Sequence, residues 1–221
     1  EITWRDWSSD VCSSDLDALL QTTTGYNFMK AQILFALMFV VTLFQLMPEL
    51  GLQQIIKTGR KKWILDRVGY TFISSMYFAA VFILVEVILG IMHVGVNFLL
   101  KYNYFQCMLL GWLSLVFIYL FMGILYLMFS VIFSPGLLAL GMSFLATLIF
   151  MVLSFYKYVP TVYLVMDIMQ APAMEKLGLR SNPMLVVKPL VYNTIGMIAM
   201  IIVSIQVFKR KDLIDSSLQF I

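Results

Sequence analysis

The sequence predicts an all-α polytopic membrane protein with five transmembrane helices, and three observations carry that prediction. Of 221 residues, 62% are apolar and only 12% charged, where soluble domains run near half apolar and about a quarter charged. Mean hydropathy is +0.93, and a water-soluble body of this size would have to leave large apolar patches outside. Five apolar stretches approach or exceed the ~20 residues that a helix needs to cross the hydrocarbon. The same composition excludes other classes. Net charge is a mild +3, with one His and two Cys, too little for nucleic-acid binding, a metal cage or a disulfide scaffold.

The first residues stand apart. Residues 6–16 read DWSSDVCSSDL, a polar Ser/Asp string ahead of an almost wholly apolar chain. The string resembles the conceptual translation of a widely used short-read sequencing adapter. Residues 1–16 are therefore expected to be non-native, and 17–221 to form a single transmembrane domain. Setting the string aside removes Asp6, Asp10 and Asp15, which moves the formal balance from +3 to +6. It also removes Cys12, leaving Cys107 with no intrachain disulfide partner.

The five spans are expected at about 31–47, 69–93, 106–133, 137–156 and 189–208. The first is stopped by Pro48, whose missing N–H and ring clash end helices. The second carries one carboxylate, Glu86, and ends at His93. Ser134-Pro135-Gly136 punctuates the long apolar run after the third span and reads as a tight turn. The segment 157–188 is too interrupted by proline to span and reads as a short interfacial or re-entrant helix pair, with Asp167 and Glu175 facing water.

Basic residues near span ends are retained in the cytoplasm. The loop after the first span holds Lys57, Arg60, Lys61, Lys62 and Arg67, and the tail after the last holds Lys209, Arg210 and Lys211. These clusters lie four crossings apart, and an even number of crossings puts both on one face. A cell-membrane location with a cytoplasmic C-terminus follows as an expectation.

No H-E-x-x-H, G-x-S-x-G, C-x-x-C or P-loop pattern occurs, so neither catalysis nor a metal or other cofactor is expected of this chain. His93 reads as an interfacial polar residue. Glu86 costs on the order of 2.5 kcal/mol at mid-bilayer unless paired or protonated, so it should face protein or water. With Asn193 it marks a possible intramembrane polar site, and Thr194 and Gln206 are further potential partners. Ala139, Ser143 and Thr147 form a small-residue ridge suited to helix packing. Residues 48–67 combine Glu49, apolar Leu52, Ile55 and Ile56, and a basic end, the pattern of an amphipathic cytoplasmic helix; a basic loop resting on anionic lipid is the alternative.

Taken in order, these features resemble the permease subunit of an ATP-binding-cassette exporter of the ABC-2 type. In that family a span is followed by an acidic residue, a small amphipathic cytoplasmic helix, a Thr-x-x-Arg-like turn and a basic residue opening the next span. Glu49, the 51–56 stretch with Gly51, Leu52, Ile55 and Ile56, then Thr58, Arg60 and Arg67 stand in those places. The tight turn at 134–136, the outer segment 157–188 and the closing Phe208-Lys209-Arg210-Lys211-Asp212-Leu213 match as well, while Asp66-Arg67 departs from the family's usual Gly-Lys. The resemblance implies that the five spans are the second to sixth of a six-span permease whose start is missing. It also implies an ATPase-coupling segment at Glu49, Gly51, Leu52, Ile55, Ile56, Arg60, Lys61 and Arg67, a separate ATPase subunit that hydrolyses ATP, and a second permease copy or sister permease. Two other readings compete: an intramembrane enzyme using Glu86 or His93, and a non-transporting membrane anchor or immunity protein.

Overall fold

The computed structural model describes residues 35–46, 59–101, 103–133, 137–155 and 184–210, and every element among them is helical. In chain order these are α1 (Ala36–Leu46), α2 (Arg60–Val94), α3 (Val96–Lys101), α4 (Tyr104–Phe133), α5 (Leu137–Phe155) and α6 (Met184–Arg210). Three helical stretches, Arg60–Met92, Tyr104–Phe133 and Leu190–Phe208, are long and apolar enough to cross a membrane. Leu137–Phe150 is apolar but shorter. The predicted turn at 134–136, most of the 157–188 segment and the 48–58 part of the amphipathic stretch lie outside the described residues.

At the centre is α4. Of its span, 72% is buried inside the bundle, against 17% for each of the other two, and it touches every other described helix. Side-chain pairs set the directions. Trp112 donates to the Met76 carbonyl at 3.1 Å and Tyr104 to the Glu86 carbonyl at 3.3 Å, so α2 runs antiparallel to α4. Phe39 meets Tyr119 at 5.2 Å while Leu43 reaches Gly123 further along, so α1 runs parallel to it. Phe121 meets Phe150 edge-on at 5.1 Å. These two lie at nearly equal distances along the chain from 134–136, which makes α4 and α5 an antiparallel hairpin. Met197 packs with Leu120 and Ile124, and Phe208 with Val131, so α6 is again parallel to α4.

Two boundaries differ from the sequence reading. Arg60, Lys61, Lys62 and Arg67 were expected in a connecting loop or a separate cytoplasmic helix, with the span beginning near 69; instead they form the first turns of α2 itself. The reason is periodicity: Trp63, Ile64, Val68, Thr71, Ser75 and Ala79 are all buried, one continuous stripe at helical spacing. The last helix begins at Met184 rather than near 189, and Pro189 falls in its second turn, where its missing N–H removes one backbone bond. At that same end of the bundle, α2 stops at Gly95, whose φ of 86° is a left-handed conformation open to glycine.

The crossing of α1, α2 and α4 is built on Gly123. A Cβ there would collide with Thr71 Cγ2 and lie 3.2 Å from Leu43 Cδ1. Gly123→Ala should therefore destabilise the fold by about 1–3 kcal/mol, read as a loss of thermal stability in detergent. Adding Thr71→Ser removes the obstructing methyl while keeping a hydroxyl for the Arg67 carbonyl, which Thr71 Oγ1 reaches at 2.9 Å. The double variant should recover most of the loss.

Candidate functional site

The expected site residues fall into three groups. Glu49, Gly51, Leu52, Ile55 and Ile56 lie outside the described residues. Arg60, Lys61 and Arg67 stand on the first two turns of α2, at the same end of the bundle as the last turn of α6. Glu86 and Asn193 lie within the apolar part of the bundle.

At the α2–α6 end, Trp63 stacks on Phe208 with ring centroids 5.1 Å apart and planes 11° from parallel. The Arg67 guanidinium carbon lies over the Trp63 ring, 5.1 Å from its centroid. Arg67 follows Trp63 by four residues, so one helical turn brings the two together, and such a contact contributes about 0.5–2 kcal/mol depending on desolvation. Ile64, Val131 and Ile205 complete the apolar cluster around the stack. The consequence is that the start of α2 and the end of α6, each strongly basic in sequence, are held side by side. Lys61 and Lys62 are exposed there. Trp63 is 8% exposed, yet its indole Nε1 has no hydrogen-bond partner among the described residues.

Glu86 is buried near the other end of α2. Tyr104 covers this turn: its hydroxyl accepts no bulk at Gly90, where a Cβ would lie 2.8 Å from the oxygen, and donates to the Glu86 carbonyl. The structure does not bring Glu86 and Asn193 together. Asn193 sits one turn before Met197, which packs beside Leu120, whereas Glu86 sits beside Tyr104. They differ in depth by roughly three turns of helix, on the order of 16 Å. Thr194 is no partner either, since its hydroxyl donates to the Leu190 carbonyl at 2.7 Å, and Gln206 is exposed near the α6 terminus. His93 falls in the last turn of α2. The Ala139, Ser143 and Thr147 ridge is buried, with Ala139 in the cluster around Phe39, Tyr119 and Met122.

Sequence reading placed Phe208 only in the aromatic and basic cluster that closes the last span. The Trp63-to-Arg67 spacing was a usable signal once the helix was known to run through from Arg60; the partnership with Phe208 joins residues remote in sequence and had none. No family model, curated protein or solved structure matches the chain. The stack predicts a measurable coupling. In a double-mutant cycle of Trp63→Leu and Phe208→Leu, unfolding in detergent should give an interaction energy of about 0.5–1.5 kcal/mol beyond the single losses.

Proposed function

We propose that the chain is the transmembrane permease subunit of an ATP-driven exporter of the ABC-2 type. In this reading it crosses the cell membrane five times, works with a separate ATPase subunit and a second permease copy or sister permease, and moves its substrate outward. The observation that supports it best is the Trp63–Phe208 stack at 5.1 Å. The stack sets two basic segments at one end of the bundle, and the alternating directions of α1, α2, α4, α5 and α6 agree with an even number of crossings between them. By the retention of basic residues in the cytoplasm, that end and the C-terminus face inward.

The continuity of α2 gives the reading a mechanical basis. The coupling segment around Leu52, Ile55 and Ile56 leads through Gly59 into a helix with no joint between Arg60 and Val94. A displacement applied by ATPase closure at its basic end passes along the whole helix as a rod. Contact between Trp63 and Phe208 shares the displacement with α6, and the packing of α2 on α4 shares it with the core.

Two measurements test the reading. With Cys107→Ser as background, Lys61→Cys and Ser216→Cys should resist an impermeant thiol reagent in intact cells while Lys176→Cys is labelled; labelling of 61 and 216 from opposite sides would refute the topology. Ile55→Asp should lower co-purification of an ATP-binding-cassette ATPase subunit from the native host by at least about fivefold, because buried anchors contribute more than ~1 kcal/mol each to an interface. Lys61→Ala, a rim charge, should leave that recovery near wild type.

A further inference from the structure

The face of α2 turned away from α4 carries polar and small residues that the bundle itself does not use. Asp66, Gly69, Ile73, Tyr77, Ala80 and Leu84 are all exposed and follow one another at intervals of three or four residues, one continuous seam along the helix. This seam lies opposite the buried stripe of Ile64, Val68, Ser75 and Ala79. Only 17% of the α2 span is buried inside the bundle, so the seam is open along its length.

Tyr77 is 73% exposed, and its hydroxyl makes no hydrogen bond among the described residues. It stands ten residues after Arg67 and nine before Glu86, about 15 and 13 Å of helix. With the basic turns of α2 at the cytoplasmic headgroups, the phenol sits deep in the hydrocarbon, too far in to reach the interface by its own length. Tyrosine belongs at the interfaces, and a hydroxyl facing acyl chains has no acceptor. Lipid would cover Ile73 and Leu84 but would leave that hydroxyl unmet. Gly69 gives an independent indication. A Cβ there would meet nothing within 4 Å, so the bundle supplies no reason for a residue that weakens a helix; a small residue on an outer face admits the backbone of another helix. Toward the headgroups the seam carries Asp66, with Lys62 one turn away and exposed beside it, so one acid and one base complement those of an identical seam.

We propose that this seam is the contact surface between two copies of the chain, related by a two-fold axis along the membrane normal. Copies inserted with the same orientation present the same residue at the same depth, so the two Tyr77 hydroxyls meet, one donating and the other accepting. The contact is isologous: Asp66 of each copy comes within reach of Lys62 of the other, and Gly69 and Ala80 let the two helices approach closely. The surface deepens the pairing of two permease copies given above and rests on that reading.

The test uses the full chain carrying Cys12→Ser and Cys107→Ser, in membranes of the expressing cell. Under a mild oxidant, Ile73→Cys and Leu84→Cys should each give a disulfide-linked homodimer, while Phe72→Cys and Val85→Cys, exposed on other faces of α2, should not. Tyr77→Phe keeps the ring and removes the hydroxyl. It should lower the association constant of fluorescently labelled copies in lipid vesicles by about fivefold, with the unfolding temperature of the single chain unchanged. Equal cross-linking at all four positions, no homodimer from the seam cysteines, an adduct with a different protein in its place, or an unchanged constant for Tyr77→Phe would overturn this surface. Particle mass in lipid discs separates the two readings: a dimer without seam cross-links overturns this surface alone, whereas a monomer removes the second copy from the exporter reading as well.

Discussion

The burial of most of α4 inside the bundle is the constraint from which the remaining arrangement follows. A helix apolar all round gains nothing from water exclusion by choosing protein over lipid, since hydrocarbon tails are as apolar as leucine. Close packing and the few directional bonds available must therefore decide its neighbours. Gly123 lets Thr71 and Leu43 come against the α4 backbone, and Gly90 admits the Tyr104 ring on the α2 side. Trp112 and Tyr104 then fasten α4 to carbonyls of α2 at two depths, which sets both the direction and the register of that pair.

Polar side chains inside the bundle follow a consistent rule. The buried hydroxyls of Thr71, Ser75, Ser130, Ser143, Thr147 and Ser204 each donate to a carbonyl three or four residues earlier on their own helix. They are satisfied without a partner helix, and so act as small packing groups rather than as interhelical bridges. Ser114 departs from the rule, its Oγ having no hydrogen-bond partner among the described residues. Trp112 and Tyr104 do reach across helices, their bulk placing a donor at the end of a large apolar side chain. The same own-helix bond occupies Thr194, whereas Asn193 is kept from Glu86 by its depth in the bundle.

The basic end poses an electrostatic problem that the aromatic stack answers. Bringing the start of α2 beside the end of α6 concentrates positive charge, and like charges at close range repel. Trp63 and Phe208 hold the two ends together through an apolar contact indifferent to that charge, and Arg67 is turned onto the indole face. What results is a rigid, positively charged surface, anchored to the core through Ile64 and Val131.

Helical class, apolar stretches and the reversal between α4 and α5 were legible in the residues themselves, because hydropathy, proline and glycine act locally. The small-residue ridge on α5 was likewise readable as a packing surface. Where α2 begins was not, since basic residues near a span end look like loop until Trp63 and Ile64 are known to bury against Val131 and Phe208. Nor could the residues indicate that Glu86 and Asn193 lie about three turns apart, or that Trp63 would meet Phe208. Those outcomes depend on the register of one helix against another. Register is decided by contacts between side chains remote in sequence, at Gly123, Trp112 and Tyr104, and no periodicity within a single helix contains it.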